Sequence, residues 1–250
     1  QRARDDCPVA PETFQVLAEL TAAYTRFVQR HANDPSLRTD LVRAHRLLGQ
    51  VHSLQTQVDR AEAAYREVTK ILLDLAEEDP RPEYRYLLAE NHQQLSHLLA
   101  ELDRTDEASQ LGVDAMRELA KLAGEFPNSP AYDSALAVAY NNLGLLSLKL
   151  GRDEEAIQYL RQNLSTLEQL VSRFPDDLSC VERLIDSQQV LLGLLWSLRR
   201  LEEAKQVGAQ SLSAIRKYKE TFRDVLDLEA PLITALENMA GIVQAMASGH

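Results

Sequence analysis

Cysteine, glycine and proline are all scarce in this chain of 250 residues, and each shortage excludes something. There are two cysteines, Cys7 and Cys180, far apart and in no C-x-x-C arrangement. That leaves no disulfide framework and no cysteine metal knuckle, and it suits a reducing, cytoplasmic compartment. Glycines number nine and never form G-x-G-x-x-G or G-x-x-x-x-G-K-[ST], so no phosphate-cradling loop is written here. Long apolar runs are missing too. The longest, Val190 to Trp196, is far too short to span a bilayer. No apolar segment follows the opening QRARDD, so no signal peptide is expected, and a start at Gln rather than Met suggests a module of something longer. Basic residues are outnumbered, with a net charge of −11. This argues against a nucleic-acid backbone or an anionic membrane as the main partner.

With 45% apolar and 26% charged residues, the composition is that of a globular protein. Its richness in Leu, Ala, Glu, Gln and Arg favours helix. The stretch NNLGLLSLKLGRDEEA, Asn141 to Ala156, has worn copies about 48 residues to either side: QQLSHLLAELDRTDEA from Gln93, and QVLLGLLWSLRRLEEA from Gln189. A fainter copy begins at Arg46. The short alanines Ala61, Ala108, Ala156 and Ala204 step by 47, 48 and 48 residues. The small residues twelve earlier, Gly49, Ser96 and Gly144, keep that register. The series continues through Leu192 to Ala240 in a final half copy. The segment ends agree as well: Asp79-Pro80, Phe126-Pro127, Phe174-Pro175 and Phe222-Arg223.

Within a copy the period is helical. Leu143, Leu146 and Leu150 fall at i, i+3 and i+7; Leu160, Leu164, Leu167 and Val171 continue one face of a second helix. The unit is therefore two antiparallel helices. Gly151 is suited to a left-handed cap, acids at 153–155 favour a helix start, and Pro175 marks the end. Turns are expected near 56–58, 103–105, 151–153 and 199–201. Gly144 and Ala156 let the two backbones cross closely, since a large side chain would overpack the crossing. Leu192 breaks that rule beside Gly193, which leaves open a rotated helix or a wider gap.

Leu143-Gly144, Gly151, Ala156 and Tyr159-Leu160 fall where the tetratricopeptide repeat carries its small and large residues, and the chain over about residues 33–247 resembles that family. Its unit exceeds the family's usual length by about two helical turns per helix, similar to arrays C-terminal to bacterial serine/threonine kinases. The resemblance implies an all-α, right-handed α-solenoid. The expected organisation is a linker at 1–10 and an N-terminal capping helix at 11–32. Repeats follow at 33–79, 80–126, 127–174 and 175–222, then a C-terminal capping helix at 223–250. Phe14, Leu17, Thr21, Tyr24 and Val28 would form the buried face of the first cap.

Catalysis has no foothold in the sequence. His45 and His92 share one repeat position, which points to packing. His92 and His97 are five apart and cannot both reach one metal on a regular helix. Acid pairs such as Glu154-Glu155 sit at helix starts, where the dipole explains them. No enzyme, metal or cofactor is expected.

What remains is a surface. In the resembled family the first helices line the groove. One polar column recurs there: Arg46, Gln93, Asn141, Gln189 and Glu237. Amides offer donor and acceptor together, which suits a peptide backbone. Beside it run Arg43, Glu90, Val138 and Asp186; then Gln50, His97, Leu145 and Gly193; then Ser53, Ala100, Leu148 and Trp196. Arg43 and Arg46 lie at one end, Glu182, Asp186 and Glu237 at the other, with Leu145, Leu148 and Trp196 as an apolar patch between. Trp196 is either an interface anchor or an ordinary core residue. The family's carboxylate clamp for chaperone C-termini is not reproduced, because Arg46, Gln50 and Val138 stand at its positions. The chain thus reads as a non-catalytic module that binds a protein or peptide. The alternative is a regulatory or self-associating arm of a larger signalling enzyme, forming a homo-oligomer.

Overall fold

The computed structural model describes residues 11–221 and 229–247. Cys7, Phe222, Arg223 and the expected start of the C-terminal capping helix lie outside the described residues, as do the side chains of Phe14 and Leu17. Among the described residues there is no strand. Five helices have the second-helix register. They are α1 (Pro11–His31), α3 (Val58–Glu78), α5 (Thr105–Glu125), α7 (Asp153–Arg173) and α9 (Leu201–Thr221), each of 21 residues. Five have the first-helix register: α2 (Arg38–Leu54), α4 (Pro82–Glu101), α6 (Pro130–Lys149), α8 (Leu178–Ser197) and α10 (Glu229–Ala247). A 3-10 turn, Pro35–Leu37, precedes α2. This is the helix-pair stacking of an α-solenoid, as the periodicity predicts.

Three residues join the two helices of every repeat: 55–57, 102–104, 150–152 and 198–200. The middle residue is always left-handed, Thr56, Asp103 and Arg199 at φ 58° and Gly151 at φ 69°. The motif satisfies the orphaned carbonyls of the first helix. The Gln57 N–H donates to the His52 carbonyl at 2.8 Å, and Arg104, Arg152 and Arg200 repeat that bond to Leu99, Ser147 and Leu195 at 2.9 Å each. Proline opens α4 and α6, and Asp177 caps α8 by accepting from the Cys180 N–H at 3.3 Å.

The chain forms two units, 1–118 and 119–250. In the first, α1 packs on α2, α2 on α3 and α3 on α4, with Val42, Val68, Leu72 and Leu75 buried together. In the second, α6 through α10 pack in succession around a core that includes Leu160, Leu167, Leu170, Ile185, Leu192 and Leu195.

The small-residue crossing is observed. A Cβ on Gly144 would stand 3.0 Å from Leu160, and one on Gly49 would stand 2.6 Å from Tyr65. At Ser96 the hydroxyl donates to the Ala108 carbonyl at 2.7 Å, turning closeness into a bond. In the fourth repeat the helix is not rotated. Leu192 is fully buried, Gly193 faces open space, and the second helix has a glycine, Gly208, whose space is taken closely by Met239 of α10 and, in ordinary contact, by Leu192.

Candidate partner-binding face

Each first helix turns two faces inward to its neighbours and leaves one to solvent. In the first unit the exposed positions are Arg43, Leu47 and Gln50 on α2, then Gln94 and His97 on α4. The Arg43 guanidinium lies 3.4 Å from Asp40 and is largely solvated. His97 lies 3.8 Å from Glu101. Arg46 is half-buried and donates to Glu90 at 3.0 Å, and Glu90 also accepts from the Tyr86 hydroxyl at 2.8 Å. Gln93 is buried.

In the second unit the exposed positions are Val138 and Leu145 on α6, Asp186, Val190 and Gly193 on α8, and Glu237 on α10. Asn141 is half-buried. The Gln189 amide donates to Ser211 at 2.9 Å and accepts from Asn238 at 3.4 Å, so it joins α8 to α9 and α10. Leu148 and Trp196 are partly buried against the hydrophobic core. A Cβ on Gly241 would stand 3.4 Å from the Trp196 ring, so this indole packs between helices.

The polar column expected to line the groove therefore divides. Arg46, Gln93 and Gln189 face neighbouring helices, Asn141 lies at the edge, and Glu237 is solvated. The flanking columns through Arg43 and Gln50 form the open face. A further column, Leu47, Gln94, Asn142 and Val190, belongs to that face and escaped sequence reasoning. Its signal was present: Leu47 is i+4 from Arg43 and i−3 from Gln50, which places all three on one stripe.

Between α6 and α8 lies a cleft of about 230 Å³, lined by Val138, Asn141, Asn163, Arg183, Asp186, Ser187 and Val190. Its floor is Asn163 of α7, 1% exposed. The Asn163 amide donates to the Ala137 carbonyl at 2.7 Å, while its Oδ1 has no hydrogen-bond partner among the described residues. Arg183 is held by the Ser134 hydroxyl at 2.6 Å and the Ser134 carbonyl at 3.0 Å. Valines form two walls. The arrangement offers a guanidinium and a carboxylate at the side and apolar rims, over a floor closed by Asn163. Among the described residues no His, Cys, Asp and Glu cluster could hold a metal, and no helix is long and apolar enough to cross a membrane.

Residues 136–177, which cover most of α6 and all of α7, match the family model described as tetratricopeptide repeat. These residues carry a tetratricopeptide repeat, and the chain's fold is that of a tetratricopeptide-like α-solenoid. Solved structures agree on the fold. BtubC (BKLC) from P. vanneervenii superposes with a TM-score of 0.64 at 21% identity, covering 92% of this chain and 84% of that one. The apo form of RapI gives 0.61 at 13% identity, covering 90% and 77%. A putative kinesin light chain of Podosopora anserina with nearly identical TPR-like repeats gives 0.58 at 15% identity, covering 83% and 87%. No curated protein sequence matches. The tetratricopeptide-type fold supports a protein-interaction module.

Proposed function

We propose that this tetratricopeptide array binds a peptide segment or partner helix on the open face of its first helices. In the second unit the α6–α8 cleft would be the central contact. One observation supports this reading above the others: the exposed Val138 and Val190 rim a cleft that also presents Arg183 and Asp186. Val138, Leu145 and Val190 would take the ligand's apolar side chains. Arg43, Gln50 and His97 present a polar face of the same kind in the first unit.

The test is a peptide-library screen followed by titration of the best binders. Val190→Glu changes an exposed residue and should weaken them by about tenfold or more, with an unchanged melting temperature. Arg43→Glu should slow association for binders that use the first unit. Binders indifferent to Val190, Leu145 and Arg43 alike would remove the open face from consideration. A second reading, a self-associating or regulatory arm of a larger signalling protein, is supported by a different observation: an uncovered apolar face on α10.

A further inference from the structure

The core of every repeat is a seam between its first and second helices, and three columns of the first helix build it. The first column runs Val42, Ala89, Ala137, Ile185 and Ile233. Its first four members are at most 1% exposed, and Ile233 is 56% exposed. The second runs His52, Leu99, Ser147, Leu195 and Val243. Four members are at most 8% exposed, and Val243 is 53% exposed. The third is the crossing column of Gly49, Ser96, Gly144 and Leu192, all buried, which ends in the exposed Ala240. Leu236, 44% exposed, lies on the same side of α10. This apolar stripe is thus the one that α2, α4, α6 and α8 press against a second helix of their own repeat.

The opposite half is found at α1. It has the length and register of a second helix, and it packs on α2 as α3 packs on α4 and α7 on α8. Among the described residues no first helix of its own repeat packs on it. Its seam positions follow from the register. Ala18 stands where Tyr65 and Leu160 stand, and it is exposed where they are buried. Thr25 stands where Leu72, Leu119, Leu167 and Ile215 are fully buried, and it is only half-buried.

We infer that α10 of one copy and α1 of a second copy complete a repeat, so that the chain associates head to tail. The junction continues a seam the molecule already makes four times. It joins Ala240 to Ala18 at the crossing, where small residues let two backbones approach. Ile233, Leu236 and Val243 would be covered there. This gives the self-association reading a specific surface and is independent of the groove. The contact is heterologous, since two different surfaces meet, so it leaves one open end of each kind.

Two variants of the whole chain test it, each checked for helicity by circular dichroism. Ile233→Glu with Val243→Glu blocks the α10 end; Ala18→Arg with Thr25→Glu blocks the α1 end. The wild-type chain should show a weight-average mass by sedimentation equilibrium that rises with concentration past the dimer. Each variant alone should stay monomeric. Their equimolar mixture has one usable α10 and one usable α1, and should give a twofold mass and nothing larger. A wild-type chain that stays monomeric at all concentrations would overturn the proposal. So would dimerisation of the α1-blocked variant alone, which would mean that two α10 faces pair with each other.

Discussion

Gly208 lies beneath Leu192, with the leucine Cδ1 3.6 Å from where a Cβ on the glycine would be. One repeat earlier the sizes are reversed: Gly144 is on the first helix and Leu160 on the second. In these two repeats the crossing holds one small and one large residue, and either helix supplies the small one. Gly144→Leu should therefore cost about 1–3 kcal/mol by overpacking, and Leu160→Gly more by opening a cavity. The double exchange should cost clearly less than the sum, because the two residues share one space. Urea melts of the three variants check this; strict additivity would refute the pairing.

Ala156 is fully buried, with Glu155 beside it half-buried and 3.7 Å from Arg152. Ala156→Leu should destabilise by about 1–3 kcal/mol through overpacking. Glu155→Leu should change stability little, since an exposed ion pair contributes well under about 1 kcal/mol. Equal losses would mean that α7 is rotated from the orientation described.

Thr56, Asp103 and Arg199 adopt the left-handed conformation that Gly151 adopts without a Cβ penalty. Thr56 is the least suited of the three, being β-branched. Thr56→Gly and Arg199→Gly should each stabilise, or at worst be neutral, by up to about 1 kcal/mol, because relief of strain opposes the extra entropy of the unfolded glycine. Gly151→Val should destabilise by more. Thermal melts that rank Gly151→Val above wild type would contradict the turn geometry.

Burial holds His45 and His92 below the usual imidazole range, against weaker opposing pulls from Glu67 and Asp114. The unfolded chain then binds the proton more readily than the folded one. Stability should be full above the unfolded value near 6.5 and fall as the pH drops through it. The Glu78, Glu107 and Glu203 carboxylates are also held low, but in their charged form, chiefly by hydrogen bonds from Arg38, Arg66 and Arg200. Their contribution is present above the unfolded value near 4.5 and disappears only below it. Melting temperatures between pH 7.5 and 5 should decline in wild type and decline less in a His45→Gln, His92→Gln double variant. A flat wild-type profile over that range would sink the assignment.

Trp196 packs against the core and over Gly241. Trp196→Ala should lower the melting temperature of the second unit, consistent with the loss of about 3–5 kcal/mol common for a buried large aromatic, reduced here by partial exposure. If ligand affinity falls while the melting temperature holds, Trp196 is an anchor after all.

The sequence by itself determined the helices, their antiparallel pairing, and the turns to within one residue. These follow from local rules: a 3.6-residue period, proline starts and a recurring step, each readable without knowing what lies across the chain. The tertiary structure decided which stripe of each first helix stays open. Adjacent positions on a helix differ by about 100° in direction, so a small rotation set by neighbouring helices turns Gln93 and Gln189 inward and leaves Leu47 and Val190 out. It also decided that Leu192 is answered by Gly208 and not by a wider gap, because the space at a crossing is a property of two helices. The apolar face of α10 has the same origin. Its residues read as core in the sequence, and only the packing shows that nothing in the described structure covers them.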